Sequence, residues 1–412
     1  MNIITELLDL EDENYVNYGV LYNNRFKILQ KVFEIGRFLY ASAYEEFKAE
    51  NNSWLNDYSL FMALKKHFDM KCWIFWDDEG ARLRKPEVLD YYRKNLFEDI
   101  EFNSFCQFLF YKQWNKLKEY ANNNGIKIIG DLPIYAPLDS CDVWVNSKYF
   151  LLDERNIPTC VAGVPPDYFN EDGQVWGNPI YDWQKLKNDG YGWWINRIKA
   201  QGKLFDSIRF DHFRGLSTYY AIPYGDKTAR NGHWEQGAGR SFIEAVQKAD
   251  IDISINAEDL GYLTDEVKEL LSYSKWPGMK VLQFAFNPWE SQEYDPRFYP
   301  ENSVCYTGTH DNTTLKGWLD SSPEEFVTGV CQQLGLPSRE GAEYKLIEVA
   351  MNSNSNTVII PLQDYFGFGS EARINTPGKL GGNWQWRLND SVDWNSVKKR
   401  IVFLCRNRIK CS

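Results

Sequence analysis

The residues of this chain best suited to chemistry are four acids, each closing a short apolar run. Asp131 follows Ile128-Ile129-Gly130, Asp211 follows Ile208-Arg209-Phe210, Glu258 follows Ile255-Asn256-Ala257, and Asp311 follows Gly308-Thr309-His310. Singly, each reads better as a helix cap or a structural ion-pair partner. If the runs are parallel strands opening on one face, however, the four converge, and converging carboxylates repel until one holds a proton near neutral pH. Flanking Arg209 helps one of the acids stay ionised. One carboxylate and one carboxylic acid are the pair that cleaves an acetal: the first attacks the anomeric carbon and the second protonates the leaving oxygen.

The elements that must position these acids follow from the patterning. Strands are expected at 126–131, 207–211, 253–258, 280–286, 304–311 and 357–363, with helices between several of them, at 239–249, 265–274 and 343–352. Repeated βα units with buried strands imply a parallel sheet, and a (β/α)8 barrel is the natural way to close one. The first 120 residues read instead as helices. Phe26, Leu29, Phe33 and Tyr40 keep helical spacing, Ser53 is placed to cap a helix carrying Trp54, Tyr58, Phe61 and Leu64, and Phe102, Phe105, Leu109, Trp114 and Leu117 form a third stripe. The expected organisation is a helical insertion subdomain over 1–120 packed on a catalytic barrel over 121–412. Within the barrel, residues 133–189 form an irregular, aromatic insertion, the kind of long loop that serves a binding site.

Composition narrows the partner. The 412 residues carry a net charge of −11, which argues against nucleic acid, and no apolar run is long enough to span a membrane. The N-terminus lacks a basic, then apolar, export signal, so a cytoplasmic protein is expected. Eight scattered cysteines without CxxC spacing read as reduced thiols, and four separated histidines give no metal-ligand pattern. No glycine-rich phosphate or dinucleotide loop is present, so no cofactor and no metal are expected. The 16 tryptophans include Trp144, Trp176, Trp183, Trp234, Trp289, Trp384 and Trp386 in polar, Gly/Pro/Asn-rich segments. Half-buried packing would account for them, and so would stacking on the C–H faces of sugars.

Longer segments carry a family resemblance. They include Trp54-Leu55-Asn56-Asp57-Tyr58-Ser59-Leu60-Phe61, Gly130-Asp131-Leu132-Pro133-Ile134-Tyr135, Val161-Ala162-Gly163-Val164-Pro165-Pro166-Asp167, Trp176-Gly177-Asn178-Pro179, Ile208-Arg209-Phe210-Asp211-His212-Phe213-Arg214-Gly215, Ala257-Glu258-Asp259-Leu260-Gly261, Tyr306-Thr307-Gly308-Thr309-His310-Asp311-Asn312 and Gly369-Ser370-Glu371-Ala372-Arg373-Ile374-Asn375. In these the chain resembles the amylomaltases, or disproportionating enzymes, the 4-α-glucanotransferases of glycoside hydrolase family 77 in the α-amylase clan. The resemblance implies a (β/α)8 TIM-type barrel. Family members begin with a longer stretch bearing the first barrel strands, a Ser-Leu-Pro-Gly motif and a Gly-Asp-Ser-Pro-Tyr segment. None of these precedes Met1, so the expected fold lacks its N-terminal first strands.

The resemblance also implies roles. Asp211 is the nucleophile, Glu258 the general acid/base, and Asp311 with His310 the third acidic site, on the sugar 2- and 3-hydroxyls. Arg209 holds Asp211 ionised; Asp167, Gln174, Trp176 and Asn178 lie on a substrate-covering loop; and Asn375 contacts sugar. The implied reaction is retaining transfer of α-1,4-glucan segments between maltooligosaccharides and longer α-1,4-glucans, in starch or glycogen metabolism. A monomer is expected. The competing readings are an α-glucan hydrolase of the same clan and a truncated, inactive glucan-binding protein.

Overall fold

The computed structural model describes residues 14–167, 170–261, 263–286 and 294–409. The chain divides into two compact units, one formed by residues 26–274 and the other by residues 1–25 with 275–412. Among the described residues no helix is long and apolar enough to cross a membrane.

The 26–274 unit begins with helices. Ala41–Glu50, Asn52–His67 and Phe97–Asn123 pack with the end of Tyr18–Leu39 around Phe33, Tyr44, Phe47, Leu55, Phe102, Phe105 and Phe108. The rings meet edge to face, as at Phe33 and Phe102, whose centroids are 5.7 Å apart. The stripe on Phe97–Asn123 is narrower than the sequence suggests, because Phe102, Phe105 and Phe108 are buried while Leu117 is exposed. The expected Ser53 cap is also displaced: Ser53 lies within the helix, and Asn51 holds the N-cap position.

Three parallel strands follow in this unit. β1 (Ile129–Pro133), β4 (Ser207–Asp211) and β7 (Ser254–Ala257) form a sheet in the order β1-β4-β7. In β4 the alternation of a pleated strand is strict. Ile208 and Phe210 are fully buried, Phe210 against Trp194 and Phe242 from the helices Gly192–Leu204 and Arg240–Lys248, which leaves Arg209 and Asp211 on the opposite face. Burying each of these apolar side chains contributes about 2–3 kcal/mol. Register then pairs Asp131 with Arg209 and Pro133 with Asp211. Gly130 is required in β1, since a Cβ there would lie 2.2 Å from the Phe205 ring.

Four strands were not foreseen. β2 (Cys160–Val164), β3 (Gln174–Pro179), β5 (Thr218–Pro223) and β6 (His233–Gln236) make an antiparallel sheet in the order β3-β2-β5-β6. Much of the 133–189 insertion is therefore ordered structure rather than irregular loop. Gly163 lets β2 approach β3, since a Cβ there would sit 2.1 Å from the Gln174 carbonyl oxygen.

In the other unit, β8 (Gly278–Val281), β9 (Ser303–Tyr306) and β10 (Thr357–Ile359) form a parallel sheet in the order β10-β9-β8. Its core includes Leu282, Cys305, Leu315, Leu346, Ile347 and Ala350, drawn from the strands and from helices Leu315–Ser321 and Ala342–Met351. All six parallel strands overlap the apolar runs that predict them, but only Ser207–Asp211 matches its run; Ile129–Pro133, Gly278–Val281 and Ser303–Tyr306 are displaced, and residues 282–286 form a short 3-10 helix rather than strand.

Candidate active site

Asp211 ends β4, and Glu258 follows β7 by one residue, so adjacent parallel strands deliver both acids at their C-terminal ends. The turn after β4 fixes Glu258. His212 takes a left-handed conformation, φ 53°, and its amide donates to Glu258 Oε2 at 2.8 Å. The Leu260 amide donates to Oε1 at 2.9 Å, while the Glu258 backbone bonds Phe210 and Phe213 on either side of Asp211. Glu258 is thus clamped at both carboxyl oxygens and along its main chain.

Burial, and then the charge of Asp211, push the Glu258 carboxyl up to about 7, against the pull of the Leu260 and His212 amides and of Arg209. Arg209 reaches three acids. Its guanidinium donates bidentately to Asp131, at 2.9 and 2.7 Å, and to Asp211 at 3.2 Å. Burial disfavours the arginine's charge, but bonds to and charge on Asp131, with the charges of Asp211 and Glu258, outweigh it and hold the proton more firmly than usual. Asp131 therefore aims Arg209, a role left open by the sequence, and Asp211 shares the cation. His212 is kept neutral, its pKa pushed down to about 4 by burial and by Arg214.

Of the insertion residues, Gln174 and Trp176 share one face of β3, whereas Gly177, at φ 77°, and a register shift against β2 interrupt the alternation before Asn178. Trp176 donates to Gln174 at 3.2 Å, and its ring meets His212 edge to face at 4.9 Å, with Tyr135 alongside. Asp167 accepts from the Asn170 amide at 2.7 Å, and its own amide donates to the Asn170 carbonyl at 3.0 Å. Tyr135 was not singled out from the sequence, although its position two residues after β1 was the available signal.

His310, Asp311 and Asn375 come together in the other unit. Asn375 donates to Asp311 Oδ1 at 2.6 Å, its amide bonds the His310 carbonyl at 3.0 Å, and His310 Nε2 lies 3.4 Å from Asp311. Arg373 bridges the backbone, donating to the Asp311 and Asn375 carbonyls at 2.5 and 2.7 Å. The Trp384 ring lies 5.1 Å from that of His310. Asp311 keeps 43% of its side chain exposed.

A carboxylate held with an arginine, next to a carboxyl raised toward neutrality, is a pairing suited to glycoside chemistry. The family model described as 4-alpha-glucanotransferase, glycoside hydrolase family 77, matches residues 1–393. The chain belongs to glycoside hydrolase family 77. It is 42% identical to the 4-alpha-glucanotransferase of Clostridium butyricum over 412 residues, which cover 98% of this chain and 84% of that protein. It is 41% identical to the 4-alpha-glucanotransferase of Streptococcus pneumoniae serotype 4, covering 97% of this chain and 81% of that protein. Among solved family 77 structures, the amylomaltase from Streptococcus agalactiae in complex with acarbose superposes with a TM-score of 0.91 at 35% identity, over 96% of this chain and 81% of that one. The amylomaltase from Corynebacterium glutamicum, at 18% identity and a TM-score of 0.75, shares the fold. The α/β class and TIM-type barrel fold expected from the sequence are those of this family.

Proposed function

We propose that the chain is a retaining 4-α-glucanotransferase in which Asp211 attacks the anomeric carbon of an α-1,4-glucan while Glu258 protonates the departing glycosidic oxygen. The observation that carries this reading is the raised Glu258 carboxyl, pushed to about 7 by burial and by Asp211, with both oxygens aimed by the His212 and Leu260 amides. In the second half-reaction Glu258, now ionised, takes a proton from the acceptor's 4-hydroxyl, which displaces Asp211 and regenerates the α-linkage. Arg209 keeps Asp211 ionised for the first step and a good leaving group in the second.

We assign to Asp311, with His310 and Asn375, the binding of sugar hydroxyls. Gln174, Trp176 and Asn178 on β3 and the turn at Asp167 are assigned to the glucan chain, with Trp176 offering a face to a sugar ring. The substrates are maltooligosaccharides and longer α-1,4-glucans, the protein acts in the cytoplasm as a monomer, and no cofactor takes part. Incubation with maltotriose tests the reaction. A ladder of longer maltooligosaccharides supports transfer, whereas glucose and maltose alone would mean that water is the acceptor and that the chain is a hydrolase.

A further inference from the structure

His310 and Asp311 lie on the turn between β9 and helix Leu315–Ser321, where no strand ladder fixes the backbone. Both ends of that turn are tied to one side chain. Asp364, only 3% exposed, accepts from the Thr307 hydroxyl through Oδ2 at 2.6 Å and from the Leu315 amide through Oδ1 at 2.8 Å. Thr307 is itself fully buried. Between these anchors Gln283, also buried, donates to the Thr313 carbonyl at 2.8 Å.

We propose that Asp364 is a positioning residue for glucan transfer, stapling Thr307 to Leu315 and so fixing where His310 and Asp311 stand. This rests on the reading of Asp311 as a sugar-binding group. A carboxylate suits the task because its two oxygens accept from two points of the chain at once, in a setting where each bond is strong and each loss is severe. Among the described residues neither lysine nor arginine forms an ion pair with Asp364, and burial raises its pKa against the two bonds. An apolar residue of similar size would pack there without desolvating a charge. What the acid contributes is the span between its two donors, nine backbone positions from Thr307 to Leu315 with the sugar-binding pair in the middle.

The test is maltotriose disproportionation by the full chain carrying Asp364→Ala, Asp364→Asn, Thr307→Val or Thr307→Ser, with melting temperature measured alongside. Misplacing a binding group by about 1 Å costs about 100-fold in rate, so Asp364→Ala should lose about that much, mainly in kcat rather than KM. Asp364→Asn should recover most of the loss, because its amide still accepts from Leu315 while donating to the Thr307 oxygen. If Asp364→Ala fails to fold, the threonine pair decides: Thr307→Val should lose kcat and Thr307→Ser should keep it. A folded Asp364→Ala or Thr307→Val with the wild-type kcat overturns the proposal. Asp311→Asn serves as the reference. Wild-type activity in Asp311→Asn would remove the reading of Asp311, whereas an inactive Asp311→Asn beside a fully active Asp364→Ala would overturn only the positioning role.

Discussion

The His212 amide donates to Glu258 Oε2 at 2.8 Å, so the residue that follows the candidate nucleophile in sequence holds the candidate acid in space. The two acids are therefore set by one turn, whose left-handed residue, His212, donates the amide. Replacing His212 changes little in that bond so long as the φ of 53° is kept. Asparagine, which tolerates that conformation, should retain more activity than valine, which does not. The check is kcat for His212→Asn against His212→Val in maltotriose disproportionation.

Glu258 sets the alkaline limb of activity. With its pKa raised to about 7, kcat/KM should fall above about pH 7 as the acid loses its proton. Stability follows the same shift. The folded carboxyl binds its proton more tightly than the unfolded one, whose ordinary value is 4.5, so this group's contribution is full below pH 4.5 and is lost as pH rises through about 7. Melting temperature against pH for the wild type and Glu258→Gln checks it: the wild type should lose ground relative to the variant between pH 5 and pH 8.

Arg209 balances Asp131 and Asp211 together. Replacing Arg209 with glutamine leaves two acids without their cation, and kcat should fall by about 100-fold or more. Lysine, a point charge, cannot reproduce the bidentate contact and should restore only part of the loss. Steady-state kinetics of the two variants separate these outcomes.

Gly163 governs the strand that carries Gln174, Trp176 and Asn178. Alanine there would meet the Gln174 carbonyl, so Gly163→Ala should cost about 1–3 kcal/mol and loosen β3. Thermal unfolding reads the cost, and KM for maltotriose should rise. Trp176→Ala should also raise KM, by about fivefold for the loss of about 1 kcal/mol of ring stacking, without a comparable fall in stability.

Legibility in the sequence depended on whether a signal was local. Asp211 and Glu258 could be read because Ile208 and Phe210, or Ile255 and Ala257, mark buried positions immediately before them; the other parallel strands also carry apolar runs, although Ile129 of β1 is exposed and no residue of β10 is buried. Of the antiparallel strands, Thr218–Pro223 carries such a run, Tyr219 to Ile222, which was missed, whereas Cys160–Val164 and Gln174–Pro179 do not. Cys160–Val164 is interrupted by Gly163, and Gln174–Pro179 contains Gly177 and ends in proline, so neither shows alternation against a core. Asp131 remained ambiguous because its partner Arg209 is brought alongside only by strand register. Asp364 left no mark at all, since it sits in the five-residue helix Leu362–Phe366 and acts on Thr307 across 57 residues of chain.

The central claim is that Asp211 forms the covalent intermediate. It is tested most directly by incubating Glu258→Gln with α-maltosyl fluoride, whose fluoride leaves without an acid, and mapping the adduct by mass spectrometry of peptides. The account predicts a maltosyl ester on Asp211, absent in the Asp211→Asn, Glu258→Gln double variant. An adduct on Asp131 or Asp311 instead, or fluoride release at the same rate from the double variant, would contradict it.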